Sequence, residues 1–483
     1  MLDSRRQIRK LLDFDFRHSS KQAGVKFTLS FLFAWSLAFI PEYAGLSPAG
    51  VSTLFILLFA ASLWVSEAIP AFSVSLLIIA LEIVLLGFPG FDFSSGDKAW
   101  ESYLKPWSSP LVFLFLAGFI MAAAASKTKL DLWLAKKVLF FVGDRPKNVM
   151  TGLIVITFVL SMFVSNTATT AMMMAVLTPI LAGMRSDNPM QIGILLAVTV
   201  AANIGGMGTI IGTPPNAIAV GILGSSAPSF VGWIMLALPP AVMLVILLRW
   251  LLLYLYPSNE NRINIDGLRG VDHFDDSTTA FTHIPTVPSW KKIVVAGVFV
   301  LTITLWLTGP LHHIPTTVVS FLPVVIFTIF GIIDVEEIRM IRWDVIILII
   351  GGLSLGQAVS QSGLAAWMAA LIPLEGISFV VVVGLFAYAV VVISNFMSNT
   401  AASNIVLPLV MAVATGLLPE SSQMAVVAVA LSASFAMMLP VSTPPNAIVY
   451  SSGKIHSRDF LRVGLAVGLL GPVLTLSWLY LIS

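Results

Sequence analysis

The sequence predicts an all-α integral membrane protein of about eleven transmembrane helices and two re-entrant helical hairpins, arranged as two inverted repeats. Three observations lead there. Only 10% of the 483 residues are charged and 58% are hydrophobic, whereas a soluble domain carries about 25% charged residues. Apolar runs of roughly 20 residues, the length that spans a bilayer core, recur along the chain without the alternation of a β-barrel. Finally, three segments return in the same order: `SKTKLDLWLA` at 126–135 and `SQSGLAAWMA` at 360–369, `SNT` at 165–167 and 398–400, `TPPNAI` at 213–218 and 443–448. A near-constant offset over three separate segments marks an internal duplication.

The elements follow in order. Residues 1–26 are polar and basic and read as a cytoplasmic amino terminus that anchors topology, with no cleavable signal peptide expected. An extra first transmembrane helix occupies 27–50. The first repeat, 51–255, holds spans at 51–68, 72–89 and 110–125, a hairpin at 148–183, a broken helix at 191–224 and a span at 230–255. A polar cytoplasmic linker, 256–292, contains `SNENRIN` and `DHFDDSTT`. The second repeat, 293–483, mirrors the first, with spans at 293–309, 316–333 and 344–360, a hairpin at 377–417, a broken helix at 422–452 and a last span at 461–482. Each hairpin is read as re-entrant because its two arms, about 17 residues each, are short for a crossing and flank a polar turn.

Charge tests this topology. With the hairpins not crossing and the amino terminus inside, all but Lys98 and Lys105 of the 26 Lys and Arg residues fall on the cytoplasmic side. That bias fits the positive-inside rule. It predicts a multi-pass protein of the cell inner (plasma) membrane with its carboxyl terminus outside. The first tryptophan segment carries Lys127, Lys129, Lys136 and Lys137, and its second copy carries no basic residue. The copies therefore face opposite sides, and the repeats are inverted. Inverted repeats with interrupted helices are a signature of secondary transporters, whose site lies near the bilayer midplane.

The motifs point to ion binding. Ser, Asn and Thr cap helix N-termini, and a helix-forming run follows each `SNT`. Each tip thus presents hydroxyl and amide groups with free backbone N–H groups, which favour an anion. The same Ser and Asn oxygens can ligate a hard cation such as Na⁺. Two consecutive prolines in each `TPPNAI` must break their helix and free carbonyls upstream, which membrane depth tolerates only against protein or a watery cavity. None of these motifs contains an ionisable residue, and the chain has no cysteine. That excludes thiol chemistry and speaks against a hydrolase, a redox centre or a carboxylate proton relay. A channel or membrane-embedded enzyme fits poorly, for want of a catalytic constellation or a continuous polar stripe. A helix terminus returns at most about 2 kcal/mol to a bound anion. A cation about 6 Å away adds roughly 3 kcal/mol at an effective dielectric near 20, so anion binding should depend on the cation.

Paired SNT and TPP motifs, together with `WVSEAIP` at 64–70, resemble the divalent anion/sodium symporter family from about residue 27 to 482. The resemblance implies a homodimer with scaffold and transport domains working as an elevator, and co-transport of Na⁺ with a small-molecule dianion. One Na⁺ would sit on Ser161, Ser165, Asn166 and the Gly212 carbonyl, the other on Ser394, Ser398, Asn399 and the Ser442 carbonyl. The anion would lie between Asn166–Thr167 and Asn399–Thr400, closed by Thr443 and Pro444 with Thr213 and Pro214. It implies C4 dicarboxylates as substrate, with citrate, sulfate or Na⁺-independent exchange as alternatives, and no nucleic acid partner.

Other polar residues have plainer readings. Glu82, in the middle of an expected span, is suspect by default, but is better read as a satisfied scaffold residue than as a proton-coupling group. His312 and His313 read as a solvated loop, the 127–137 segment as an amphipathic interfacial helix, and Met172–Met174 as packing.

Overall fold

The computed structural model describes residues 2–93, 98–265, 288–371, 378–417 and 421–482. Most of the polar linker, 266–287, lies outside the described residues. Among those described, every regular element is helical. Seven of the helices are long and apolar enough to cross a membrane, and six shorter apolar helices run 10–17 residues. The chain is an all-helical membrane protein. It divides into two compact units, and both draw on both halves of the sequence.

The first unit comprises Met1–Ser109, Trp343–Glu375 and Asn404–Pro419. Its first helix runs unbroken over Leu2–Phe39, so the basic start and the expected 27–50 span form one element. The run has no proline and only Gly24 among its glycines, so nothing in it terminates a helix. Edge-to-face aromatic pairs, Phe27 with Phe59 and Phe31 with Phe55, seat it on Pro48–Ser66. Ala71–Glu82 passes into a π-helical turn, Ile83–Gly87, and packs closely on Trp343–Gln361. A Cβ at Gly351 would meet the Ser75 Cβ at 2.3 Å, so this crossing requires glycine. Glu82 is fully buried and accepts a hydrogen bond from Ser354.

The second unit comprises Pro110–Arg342, Gly376–Ser403 and Glu420–Ser483. Each expected hairpin is a helix pair interrupted at its SNT motif, Pro146–Ser161 with Asn166–Gly183 in this unit, and Phe379–Ser394 with Asn399–Leu417, of which residues from Asn404 onward belong to the first unit. Each expected broken helix is broken at its TPP motif. The first runs Met190–Gly206 and then Pro214–Leu223, the second Ser422–Ala433 and then Pro444–Tyr450. The first pair packs on the first broken helix, and the Phe379–Ser394 arm on the second. The halves also interlock. Pro214–Leu223 packs on Ser422–Ala433, while Pro444–Tyr450 packs on Met190–Gly206 and Asn166–Gly183. The Asn399–Gly416 stretch has the length of a span, so helix length alone does not separate a re-entrant arm from a crossing.

Candidate functional site

The two SNT serines act as the sequence suggests. Ser165 Oγ accepts from the Ala168 N–H at 3.3 Å and Ser398 Oγ from the Ala401 N–H at 3.2 Å, each capping the helix that follows. At the helix breaks, both prolines of each TPP occupy the first helical positions, where a missing N–H costs nothing. Thr213 and Thr443 before them are extended, at φ −150° and −139°.

The prolines strand carbonyls in a buried region, and one residue type collects them in both halves. Asn216 Nδ2 donates to Gly206 O at 3.1 Å and Thr209 O at 2.7 Å. Asn446 Nδ2 donates to Met437 O at 3.1 Å and Leu439 O at 2.9 Å. A buried carbonyl left unpaired costs about 1–3 kcal/mol, so these amides hold the breaks in shape. The signal was available, as the fourth residue of the repeated `TPPN`.

In the first half, Ser161 Oγ lies 2.8 Å from Asn166 Oδ1 and 2.7 Å from Ala202 O. One serine proton can serve only one of those acceptors. Three oxygens are therefore crowded with a single proton among them, the donor set a hard cation takes. The break loop wraps this cluster as tightly as backbone allows. A Cβ on Gly206 would come within 2.4 Å of Asn166 Oδ1, and one on Gly212 within 2.3 Å of Gly206 O. Thr209 Oγ1 donates to Met162 O, pinning the loop to the tip, and Trp233 Nε1 donates to Met207 O at 3.0 Å, tying it to the Phe230–Leu255 helix.

The second half reaches a similar arrangement by other contacts. Asn395, at the place of Met162, accepts the Met438 N–H at 2.8 Å on its Oδ1. Ser442, at the place of Gly212, lies 3.1 Å from both the Asn395 carbonyl and its Oδ1. Ser394 Oγ and Asn399 Oδ1, counterparts of Ser161 and Asn166, are buried with no protein hydrogen-bond partner. Unpaired buried oxygens call for an explanation, and a bound cation supplies one. These residues fit Na⁺ on neutral oxygens.

Of the expected residues, the structure brings Ser161, Asn166 and Gly212 together around Gly206, and Ser442 against the second tip. Ser165 and Ser398 are engaged as caps. Thr213 makes no side-chain capping bond, whereas Thr443 accepts from the Asn446 N–H at 3.3 Å. Thr167 and Thr400 are half-buried in first turns, as is Pro214, and Pro444 is exposed. Sequence reasoning missed Thr199 and Asn203, which stand one helical turn apart on the first broken helix. Thr199 Oγ1 donates to Asn446 Oδ1 at 2.6 Å, and Asn203 Nδ2 to Thr443 Oγ1 at 3.1 Å. Their spacing in a helix that is apolar from Ile192 onward apart from them was the readable signal. Their partner lay in the other half, which no pattern within one helix reveals.

The sodium:sulfate symporter transmembrane region matches residues 21–482. A sodium-dependent dicarboxylate transporter, SdcS, of Staphylococcus saprophyticus is 32% identical, over 92% of this chain and 88% of that protein. Its counterpart in Staphylococcus aureus is 30% identical over 89% of this chain and 85% of that one. Among solved structures, the YdaH transporter of Alcanivorax borkumensis superposes with a TM-score of 0.55 at 14% identity, over 90% of this chain and 98% of that one. MtrF of Neisseria gonorrhoeae gives 0.51 at 11% identity, over 85% and 94%. At those identities the two structures bear on the fold alone.

Proposed function

The chain belongs to the sodium:sulfate symporter family, and from that premise we propose that it is a Na⁺-driven importer of C4 dicarboxylates such as succinate, malate and fumarate. It is a membrane transporter and not an enzyme, and sodium is its co-transported ion. One observation carries the reading. Each half holds buried neutral oxygens at an SNT tip, Ser161 Oγ 2.8 Å from Asn166 Oδ1 in one and the unpartnered Ser394 Oγ and Asn399 Oδ1 in the other, with no carboxylate among these residues. Oxygens of that kind suit Na⁺ and leave the negative charge to the substrate.

In this reading Na⁺ binds at Ser161, Ser165, Asn166 and the Gly212 carbonyl, and at Ser394, Ser398, Asn399 and the Ser442 carbonyl. The dianion lies between Asn166–Thr167 and Asn399–Thr400, with Thr443–Pro444 and Thr213–Pro214 closing the site. Burying a dianion costs several kcal/mol per charge, and nearby bound Na⁺ offsets much of that. All four motifs lie in the second compact unit, which supports their moving as one body in an elevator cycle. A homodimer in the inner membrane, amino terminus inside and carboxyl terminus outside, completes the proposal.

Radiolabelled succinate uptake into proteoliposomes tests it. Uptake should require an inward Na⁺ gradient and fall strongly in Asn166→Ala and Asn399→Ala. Na⁺-independent uptake that needs internal dicarboxylate would identify an exchanger instead. The family's own description favours sulfate as a second substrate reading, and unlabelled sulfate in the same assay decides between them.

A further inference from the structure

We propose that Asn203 is a positioning residue that makes the Thr443 hydroxyl an obligate hydrogen-bond donor to the anion, and that this duty belongs to one half of the protein only. The inference rests on the symport reading and names how one of its contacts is set.

Thr443 Oγ1 has one proton and two lone pairs. Asn203 Nδ2 donates to it at 3.1 Å and the Asn446 N–H at 3.3 Å. Both lone pairs are thereby engaged, and the hydroxyl proton is left to seek an acceptor. Thr443 is buried, at 3% exposure, and Asn203 at 1%, so water is a poor candidate. An ionised carboxylate, which only accepts, is the complement. Thr199 braces the arrangement from the same helix face. Its donation to Asn446 Oδ1 at 2.6 Å orients that amide, so that Nδ2 holds Met437 O and Leu439 O. Asn446 in turn supplies the second N–H to Thr443.

The duplication provides an internal comparison. At the places of Thr199 and Asn203 the second broken helix has Val429 and Ala433. Accordingly Asn216 Oδ1 is buried without a partner, and Thr213 makes no side-chain capping bond. The Thr443 hydroxyl is preset and the Thr213 hydroxyl is not, so the two ends of a dianion meet unequal partners.

The test is a double-mutant cycle on Na⁺-driven succinate uptake by the full-length protein in proteoliposomes, using Asn203→Ala, Thr443→Val and both together. Asn203→Ala should raise the half-saturating succinate concentration roughly tenfold, as loss of one oriented hydrogen bond to a charged group does. The half-saturating Na⁺ concentration should change less than about twofold. In the Thr443→Val background the same change should do nothing further, because Asn203 acts only through that hydroxyl. Asn203→Asp should be worse than Asn203→Ala, since a carboxylate takes the Thr443 proton for itself. Asn203→Ser, too short to reach, keeps the cycle usable if the alanine variant does not fold. Equal losses in both Thr443 backgrounds, or a fully active Asn203→Asp, would overturn the proposal. If wild-type protein takes up no dianion under a Na⁺ gradient, the symport reading has failed instead.

Discussion

Asn216 and Asn446 stand at the same place in the two halves, and each spans its helix break by donating to the carbonyls nine and seven residues earlier. The shared pairs are Met207 O and Thr209 O at 3.4 and 2.7 Å, and Met437 O and Leu439 O at 3.1 and 2.9 Å. They differ at the other end of the amide. Asn446 Oδ1 receives Thr199, and Asn216 Oδ1 receives nothing. Alanine at either position should destabilise the protein, by about 1–3 kcal/mol for each buried group left unpaired. Asn446→Ala should cost more: it strands the Thr199 hydroxyl, whereas Asn216→Ala frees a third carbonyl at Gly206 but also removes an Oδ1 that was already buried unpaired. Thermal unfolding in detergent checks this, and equal shifts for the two variants would contradict it.

Gly206 and Gly212 let backbone approach the first oxygen cluster more closely than a side chain allows. Gly206→Ala places a methyl 2.4 Å from Asn166 Oδ1, and Gly212→Ala places one 2.3 Å from Gly206 O. Both should raise the half-saturating Na⁺ concentration at least tenfold or abolish uptake, since a ligand cluster tolerates errors of only about 0.5 Å. Gly297, with nothing within 4 Å of its added methyl, is the control. Gly297→Ala should leave uptake intact, because alanine in an open helical position is neutral or stabilising by up to about 1 kcal/mol.

Glu82 accepts from Ser354 on Oε2 and leaves Oε1 without a partner in a fully buried position. A group held this way reads as a packed scaffold residue. Glu82→Gln should therefore retain wild-type uptake and the same pH profile from about pH 6 to about pH 8. Glu82→Ala should lower stability by about 2–4 kcal/mol through the cavity it leaves, with the Ser354 hydroxyl falling back on the Tyr103 carbonyl 3.3 Å away. A flattened pH profile in Glu82→Gln would instead assign it to proton coupling.

Asp334 begins the Val335–Met340 helix in a capping box with Glu337 and lies 3.2 Å from Lys127 Nζ. The Glu336 N–H, then the Glu337 and Lys127 side chains, hold its carboxyl down at about 2 from an ordinary 3.8. A depressed carboxyl supports the folded form above its unfolded value and loses that support as pH falls through the folded one. Hydrogen-exchange protection of residues 335–340, corrected for intrinsic rate, should thus hold steady from about pH 7 to about pH 5 and drop between about pH 4 and about pH 2. Loss of protection already at pH 5 would show that another group holds this helix.

Much of the site was legible before any fold. Serine caps and tandem prolines act locally, through the backbone of the next few residues, so their effects follow from the motif itself. The cross-half contacts were not legible. Asn203 and Thr443 are 240 positions apart, and nothing in either segment names the other. Nor could the motifs reveal that Asn395 and Ser442 in one half do what Met162, Thr209 and Gly212 do in the other, because the same loop can be held by different donors.

By itself the sequence determined the class of the protein, the recurrence of its motifs, and where its helices must stop. Those are consequences of transfer energy, period and backbone chemistry, which depend on neighbours along the chain. Only the tertiary structure decided that the two halves are unequal. Inequality arises where a side chain from one half fills the hydrogen-bonding capacity of the other, and that depends on which atoms folding brings within about 3 Å.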